Sequence, residues 1–322
     1  MIPQGTIAPA ANEADEIARI PQFTAVFNAA NATATGSSNR IDPRFNAITL
    51  IEGSGSANYQ GLAVELNKRF SRGNQFQVSY TFSKSIDDAS DVLNVVVNDF
   101  PVLQNPFDLK NSRSVSQFDI PHRLVINHVW QPQWAAGLTG ATGKLLHGWG
   151  FSGIFQVQSG FPTTIFTGPR YGINEPSVTG NSTNVIRPTV VGDLSKLKFA
   201  PLGSPEAALI PTPAQRGVNT QSTTRNTNTS NFPLVQTMLG NFGNLGRNAV
   251  RLNGLTNFDW VFLKDTAITE AMKVQFRAEL FNVFNNTSFA TFDNNLSSAT
   301  FGTYGGTDTT PRQIQLALKL IW

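Results

Sequence analysis

Three histidines, a close group of aspartates and one glycine-rich hexapeptide are the residues of this 322-residue chain whose types and spacing could do chemistry. His122 and His128 have the same parity on one extended segment. At about 3.3 Å per residue they stand roughly 20 Å apart, too far to share one metal ion. With His147 they could in principle serve a Ser-His-Asp site, but no nucleophile motif accompanies them. Polar roles at an interface or in a lumen are the expectation. Asp87, Asp88 and Asp91 open a loop. Carboxylates so close could hold Ca²⁺, although they lack the regular ligand spacing of a calcium loop; a solvated acidic loop is the alternative. Gly148-Trp149-Gly150-Phe151-Ser152-Gly153 has the spacing GxGxxG. A dinucleotide site needs strand, turn and helix around that spacing, so that a helix N-terminus faces the pyrophosphate. Here it lies inside an alternating segment, where glycine relieves crowding on a curved sheet. There is no cysteine, which excludes disulfides, thiolate nucleophiles and Cys-based zinc sites. The residues thus suggest no enzyme, and they assign no catalytic, cofactor or metal-binding residue.

The elements that carry these residues are strands. Charged residues make up 14% of the chain, against roughly 25% in a typical soluble domain. The net charge of +3 is too mild to suggest a nucleic-acid partner. No run of 18 apolar residues exists, and the densest patch, Val92–Val97, is far too short for a membrane helix. Residues 1–40 read as an irregular loop segment with a short helix near Glu13–Ile20. Beyond them period-2 alternation dominates. Phe76, Val78, Tyr80 and Phe82 oppose Gln75, Gln77, Ser79 and Thr81; Val274, Phe276 and Ala278 oppose Lys273, Gln275 and Arg277; Ile314, Leu316, Leu318 and Leu320 oppose Gln313, Gln315 and Lys319.

Eight strands are predicted, at 41–52, 56–70, 74–86, 119–132, 148–160, 256–267, 271–284 and 311–322. Several run to about 12 residues, against about 5–6 for common soluble strands; roughly 9–11 suffice for a tilted crossing of the bilayer. If the chain runs up and down, the long connections 87–118, 161–255 and 285–310 all fall at one end, as in outer-membrane barrels. The predicted fold is all-β: an antiparallel up-and-down transmembrane β-barrel segment over 41–322, about seven or eight strands in an open partial barrel, with a long loop insertion at about 161–255. Within that insertion the polar tract Asn219–Asn231 cannot bury enough apolar surface to order itself and is expected to be mobile.

In that topology Trp130, Trp134, Trp149 and Trp322 map to one height, opposite the long loops, and read as an interfacial aromatic girdle. A core cluster at one end of a sandwich is the alternative. Glu65, Arg69, Arg123, Lys273, Arg277, Glu279 and Lys319 fall opposite the apolar residues and would face the lumen, since Arg or Lys facing lipid at mid-depth costs about 2–4 kcal/mol. Wall ion pairs are favoured for them over substrate contact. Lys68 and Lys264 share parity with apolar residues and would snorkel to the interface.

Specific segments carry a family resemblance: Asn58-Tyr59-Gln60-Gly61-Leu62, Lys68–Gly73, Val78–Asp88, Phe118–Leu124, Gly148–Phe151 with Gly160-Phe161-Pro162, and Phe276–Asn285. Together they resemble the C-terminal barrel of Oar-like TonB-dependent receptors. The resemblance implies location in the bacterial cell outer membrane and a complete barrel of roughly 22 strands enclosing a plug. It further implies substrate uptake energised by the TonB complex, which would reach this chain only through a plug domain absent from it. Outer-membrane lipid, the barrel-assembly machinery and an unknown small or oligomeric substrate are the implied partners. The resemblance also makes Ile314, Leu316, Leu318, Leu320 and the final Trp322 an assembly signal. With no signal peptide visible at Met1–Ala10, the chain is expected to be a fragment of a longer product. A passive small barrel, a surface adhesin and a soluble β-sandwich binding module remain as alternatives.

Overall fold

In the computed structural model, residues 10–22, 53–90, 104–105, 108–135, 137–168, 186–218, 228–238 and 241–322 are described. The strand predicted at 41–52, Asp91 and residues 219–227 of the polar tract lie outside them. Seven long strands follow one another: β1 (Ala57–Ser71), β2 (Asn74–Asp87), β3 (His122–Trp130), β4 (Trp149–Gln158), β5 (Leu255–Ala267), β6 (Lys273–Phe281) and β7 (Gln313–Ile321). Each pairs antiparallel with the next in sequence, giving one meander from β1 to β7. Among the described residues β1 and β7 have no partner on their outer sides, so the sheet is open.

Alternation fixes the register, because a one-residue slip would send a strand's whole apolar set to the other face. One row runs Leu66, Val78, Ile126, Phe155, Phe258 across five strands, and the row beside it runs Glu65, Ser79, Val125, Gln156, Asn257. One face is therefore mostly apolar and aromatic, the other rich in amides, hydroxyls and charges. The apolar face is uncovered. Leu62 is 59% exposed, Leu316 69% and Leu318 74%, and among the described residues no second sheet lies on them. Exposing such a side chain instead of burying it forgoes about 1.5–3 kcal/mol. A face lined with them demands an apolar surround, and the β-sandwich alternative falls.

The buried hydrophobic core lies elsewhere, in the long connections. It consists of Ile165, Val218, Phe232, Leu234, Leu245, Leu296 and Phe301. The connections 88–121, 159–254 and 282–312 all leave the sheet at one end, as the sequence indicates, and their described residues fold together there into a cap. The other end carries a two-residue turn at Arg72-Gly73, both with positive φ (50° and 75°), the left-handed pair that suits a tight hairpin. It also carries the 268–272 turn and a short helix within 131–148. Among the described residues the α-helices are α1 (Glu13–Ala18), whose first turn is capped by the Asn12 side chain accepting from Asp15 N–H at 3.0 Å, and α2 (Gly140–Leu146). Helix α2 was not expected from sequence.

Strand ends move by a few residues from the expected positions. The strand predicted at 119–132 begins at His122, because the Asp119 carboxylate turns back to accept from Ser85 N–H (2.7 Å) and Arg251 (2.6 Å). The strand predicted to 284 stops at Phe281, because Asn282 adopts φ 48°. Gly150 and Gly153 sit inside β4, as expected for the GxGxxG spacing. A Cβ on Gly153 would collide with the Trp260 indole and with the His128 ring on the neighbouring strands. Gly153→Val should therefore displace Trp260 and destabilise the sheet by about 1–3 kcal/mol, the usual cost of overpacking. Tryptophan fluorescence and urea midpoints in lipid vesicles measure it; an unchanged emission maximum would refute it.

Candidate functional site: the polar wall and its loop cap

On the apolar face, aromatic rings gather at the short-turn end. Trp130 meets Trp134 edge-on at 5.3 Å and Phe151 at 5.4 Å, and Trp149 stacks on Phe151 at 6.3 Å. Trp149 Nε1 donates to the Leu145 carbonyl at 3.1 Å. Trp134 is 62% exposed, and Trp322, following β7 at the same end, 86%. Trp130, Trp134 and Trp149 thus form one aromatic group with Phe151, and Trp322 stands apart from it at the same end of the sheet. Lys264 shows where snorkelling leads: its ammonium donates to the carbonyls of Lys144 and His147 at the C-terminal end of α2 and sits 5.6 Å from the Trp149 ring. Lys68 lies 5.9 Å from the Phe76 ring. His122 shares the apolar face near the cap, where its Nδ1 is 2.9 Å from the Tyr80 hydroxyl and its ring 5.2 Å from Phe82. Ile314, Leu316, Leu318 and Leu320 continue the apolar face to the β7 edge.

On the polar face the sequence-predicted charges form wall contacts. Arg277 bridges Glu279 at 2.5 Å, Lys273 bridges Asp265 at 3.4 Å, and Gln275 donates to the same aspartate at 2.8 Å. Glu65 accepts from Gln77 at 2.8 Å. Lys319 stands opposite Gln275, and Arg123 stands between Thr81 and Gln158. Arg69 lies where the β1–β2 register shifts between Lys68 and Ser71, so alternation alone does not set its face. The structure does not bring these seven residues into one cluster; they line the wall from edge to edge.

The cap is held by arginines that sequence reasoning passed over. Arg247 donates to Ser112 O (3.0 Å), Ser90 Oγ (2.9 Å) and Asp87 O (2.9 Å), and forms an ion pair with the Asp87 carboxylate. Arg251 grips Asp119, Arg113 pairs with Asp88 at 3.0 Å, and Arg187 donates to Asn111 O and Oδ1, both at 3.1 Å. Arg216, wholly buried, donates to Leu296 O (3.0 Å) and Ser298 O (2.7 Å), with its guanidinium 5.1 Å from the Phe301 ring. Burial pulls the Arg216 pKa down to about 10. It does the same to Arg187, with the charge of Arg247 adding to it, so both remain cationic at neutral pH. All but Arg113 come from the long insertion, and they tie it to the other two connections. The end of the polar tract is also held: Asn228 Oδ1 accepts from Phe232 N–H at 3.0 Å. At the loop start Asp87 and Asp88 face Arg247 and Arg113, while Asp91 lies outside the described residues. Among the described residues no group of three or more His, Asp or Glu could hold a metal ion. The signal for the cap was present in the sequence as apolar residues such as Ile165, Leu234 and Phe301 scattered through connections too irregular to show a period.

Where wall and cap meet, a cavity of about 420 Å³ opens on the polar side between β5, β6, β7 and residues 308–310. Asp259 and Asn257 stand on one side of it, Gln313 and Gln315 on another, and Phe281 and Asp308 complete it.

An antiparallel meander with long membrane-crossing strands, one uncovered apolar face, one polar face and every long connection at one end defines a protein of the outer-membrane β-barrel class. The chain belongs to the family described as outer membrane beta barrel domain, whose model matches residues 5–315, and its place is the bacterial outer membrane. No curated protein and no solved structure matches it.

Proposed function

We propose that this chain is the C-terminal part of the barrel of an Oar-like TonB-dependent receptor, non-enzymatic, which takes a substrate across the outer membrane in the full-length protein. The observation that carries the reading is the open sheet: β1 and β7 leave their outer hydrogen-bonding edges free among the described residues, and an unpaired edge in the bilayer is costly because every backbone polar group there needs a partner. Further strands of a larger barrel would supply those partners. The motif resemblance points the same way. In this reading the cap faces outward and meets substrate, the polar wall lines the lumen against a plug, and the final strand is handed to the barrel-assembly machinery. TonB acts through the plug and not through this chain.

This chain contributes no native cysteine to a disulfide test. Single cysteines are placed on β1 (Ala63→Cys, Asn67→Cys) and on β7 (Gln315→Cys, Ala317→Cys, Lys319→Cys) of the full-length product, combined pairwise and oxidised in the outer membrane. No β1–β7 disulfide is expected, and the full-length product should co-purify with the periplasmic domain of TonB. A disulfide at any register would show a small closed barrel, the passive alternative; loss of TonB co-purification would remove energy coupling.

A further inference from the structure

The cavity of about 420 Å³ at the meeting of wall and cap falls within the roughly 300–1,000 Å³ of small-molecule sites, and its lining is chemically one-sided. Two carboxylates (Asp259, Asp308) and four amides (Asn257, Asn282, Gln313, Gln315) surround one aromatic ring, Phe281, with hydroxyls of Thr309 and Thr310 beside them and no lysine or arginine. Carboxylates without a cation repel anionic ligands. The amides offer donors and acceptors together, which suits groups that are both, namely hydroxyls.

The site is built before any ligand arrives. Asp259 Oδ1 accepts from the Asn282 N–H at 2.8 Å, and its Oδ2 accepts from Asn257 Nδ2 at 3.0 Å. An ionised carboxylate has about four acceptor positions, so two remain for donors from a ligand. Asn282 is the pin. Its positive φ ends β6, its Nδ2 donates to Asn286 O and Thr310 O at 2.9 Å each, and its Oδ1 accepts from Asn286 N–H at 2.9 Å. That fixes the 308–310 segment against β6, with Asp308 N–H held by Ser288 O at 2.8 Å. Gln313 and Gln315 are exposed at the start of β7. Vicinal hydroxyls can bridge a fixed carboxylate and a neighbouring amide, and a half-buried ring offers an apolar platform for the C–H face of a pyranose.

We infer that this cavity is a binding site for a neutral sugar residue, held by Asp259, Asn257, Gln313 and Gln315 and stacked on Phe281. The inference rests on the transport reading only for its use, as the place where an incoming neutral glycan is first held at the lumen mouth; the binding itself does not require TonB.

The full chain, extracted from outer membranes in lauryldimethylamine oxide to avoid sugar detergents, is fluorescently labelled and applied to an array of neutral and acidic glycans. Retention on neutral glycans is expected. It should fall tenfold or more for Asp259→Ala and for the doubly substituted Gln313→Ala, Gln315→Ala chain, whose glutamines are exposed. Gln75→Ala, on the same face at the opposite end of the sheet, should retain fully, and chelation of calcium should change nothing. Retention only on acidic glycans, none at all, a calcium requirement, or full retention by the glutamine variant would each overturn the assignment. Because retention is read on purified chain, a failure here leaves the TonB co-purification untouched, and a failure there leaves this result standing.

Discussion

Val78→Arg should all but empty the outer membrane of this protein, while Gln77→Arg one residue earlier should leave its level close to wild type. Both substitutions add the same charge to the same strand, so total charge cannot separate them. Val78 lies in the row Leu66, Val78, Ile126, Phe155 on the apolar face, where an arginine at mid-depth costs about 2–4 kcal/mol. By comparison, a whole domain is commonly stable by only about 5–15 kcal/mol. Gln77 points to the other face and already donates to Glu65 at 2.8 Å, so arginine there gains an ion pair with that carboxylate. Outer-membrane fractions probed by immunoblot give the first reading, and urea midpoints in lipid vesicles give the energy. Equal levels for the two variants would mean that the apolar face does not touch lipid.

That pair of residues also shows why the sheet was legible in the sequence. Alternation is a local property: each strand records its own two environments in its odd and even positions, and β2, β6 and β7 do so without interruption. Strand order followed from letting the chain run up and down, which puts the long connections at one end. The cap is different in kind. Its contacts join residues as much as 80 to 160 positions apart, as between Arg216 and Leu296 or Arg247 and Asp87, and no period connects such partners. Arginine in a polar connection looks like a solvated charge until the carbonyls that receive it are known. Helix α2 was hidden for a related reason: seven residues containing two glycines show neither periodicity nor propensity, and its end is held from outside by Lys264. The cavity escaped because Asn282 reads as one more asparagine. Its role depends on a left-handed backbone and on partners at both ends of the 282–312 connection. Alternation gives each wall charge a face where it is unbroken, and it loses force at Arg69, where a bulge resets the phase.

Arg247 is where the cap should prove most fragile. Arg247→Ala removes one partner of a buried ion pair and strands the Asp87 carboxylate, itself 4% exposed, together with the acceptors Ser112 O and Asp87 O. Breaking such a pair from one side costs about 3–5 kcal/mol, much more than the intact pair contributes. The loss should be local. The strand register rests on β2–β3 and β4–β5 pairing, to which the guanidinium does not contribute, so the protein should still reach the outer membrane in normal amount. What should change is protection: proteinase K added to intact cells should cut within 159–254 at least tenfold faster than in the wild type, leaving the seven strands uncut. Asp87→Ala in the same chain should restore part of the protection, because two matched deletions leave no orphaned charge, and the resulting coupling energy measures the pair itself. If Arg247→Ala left cleavage unchanged, the three connections would be held by their apolar core alone and the arginines would be passengers. If it abolished insertion as well, cap and sheet would form one cooperative unit, and the separation of wall from cap drawn here would be wrong.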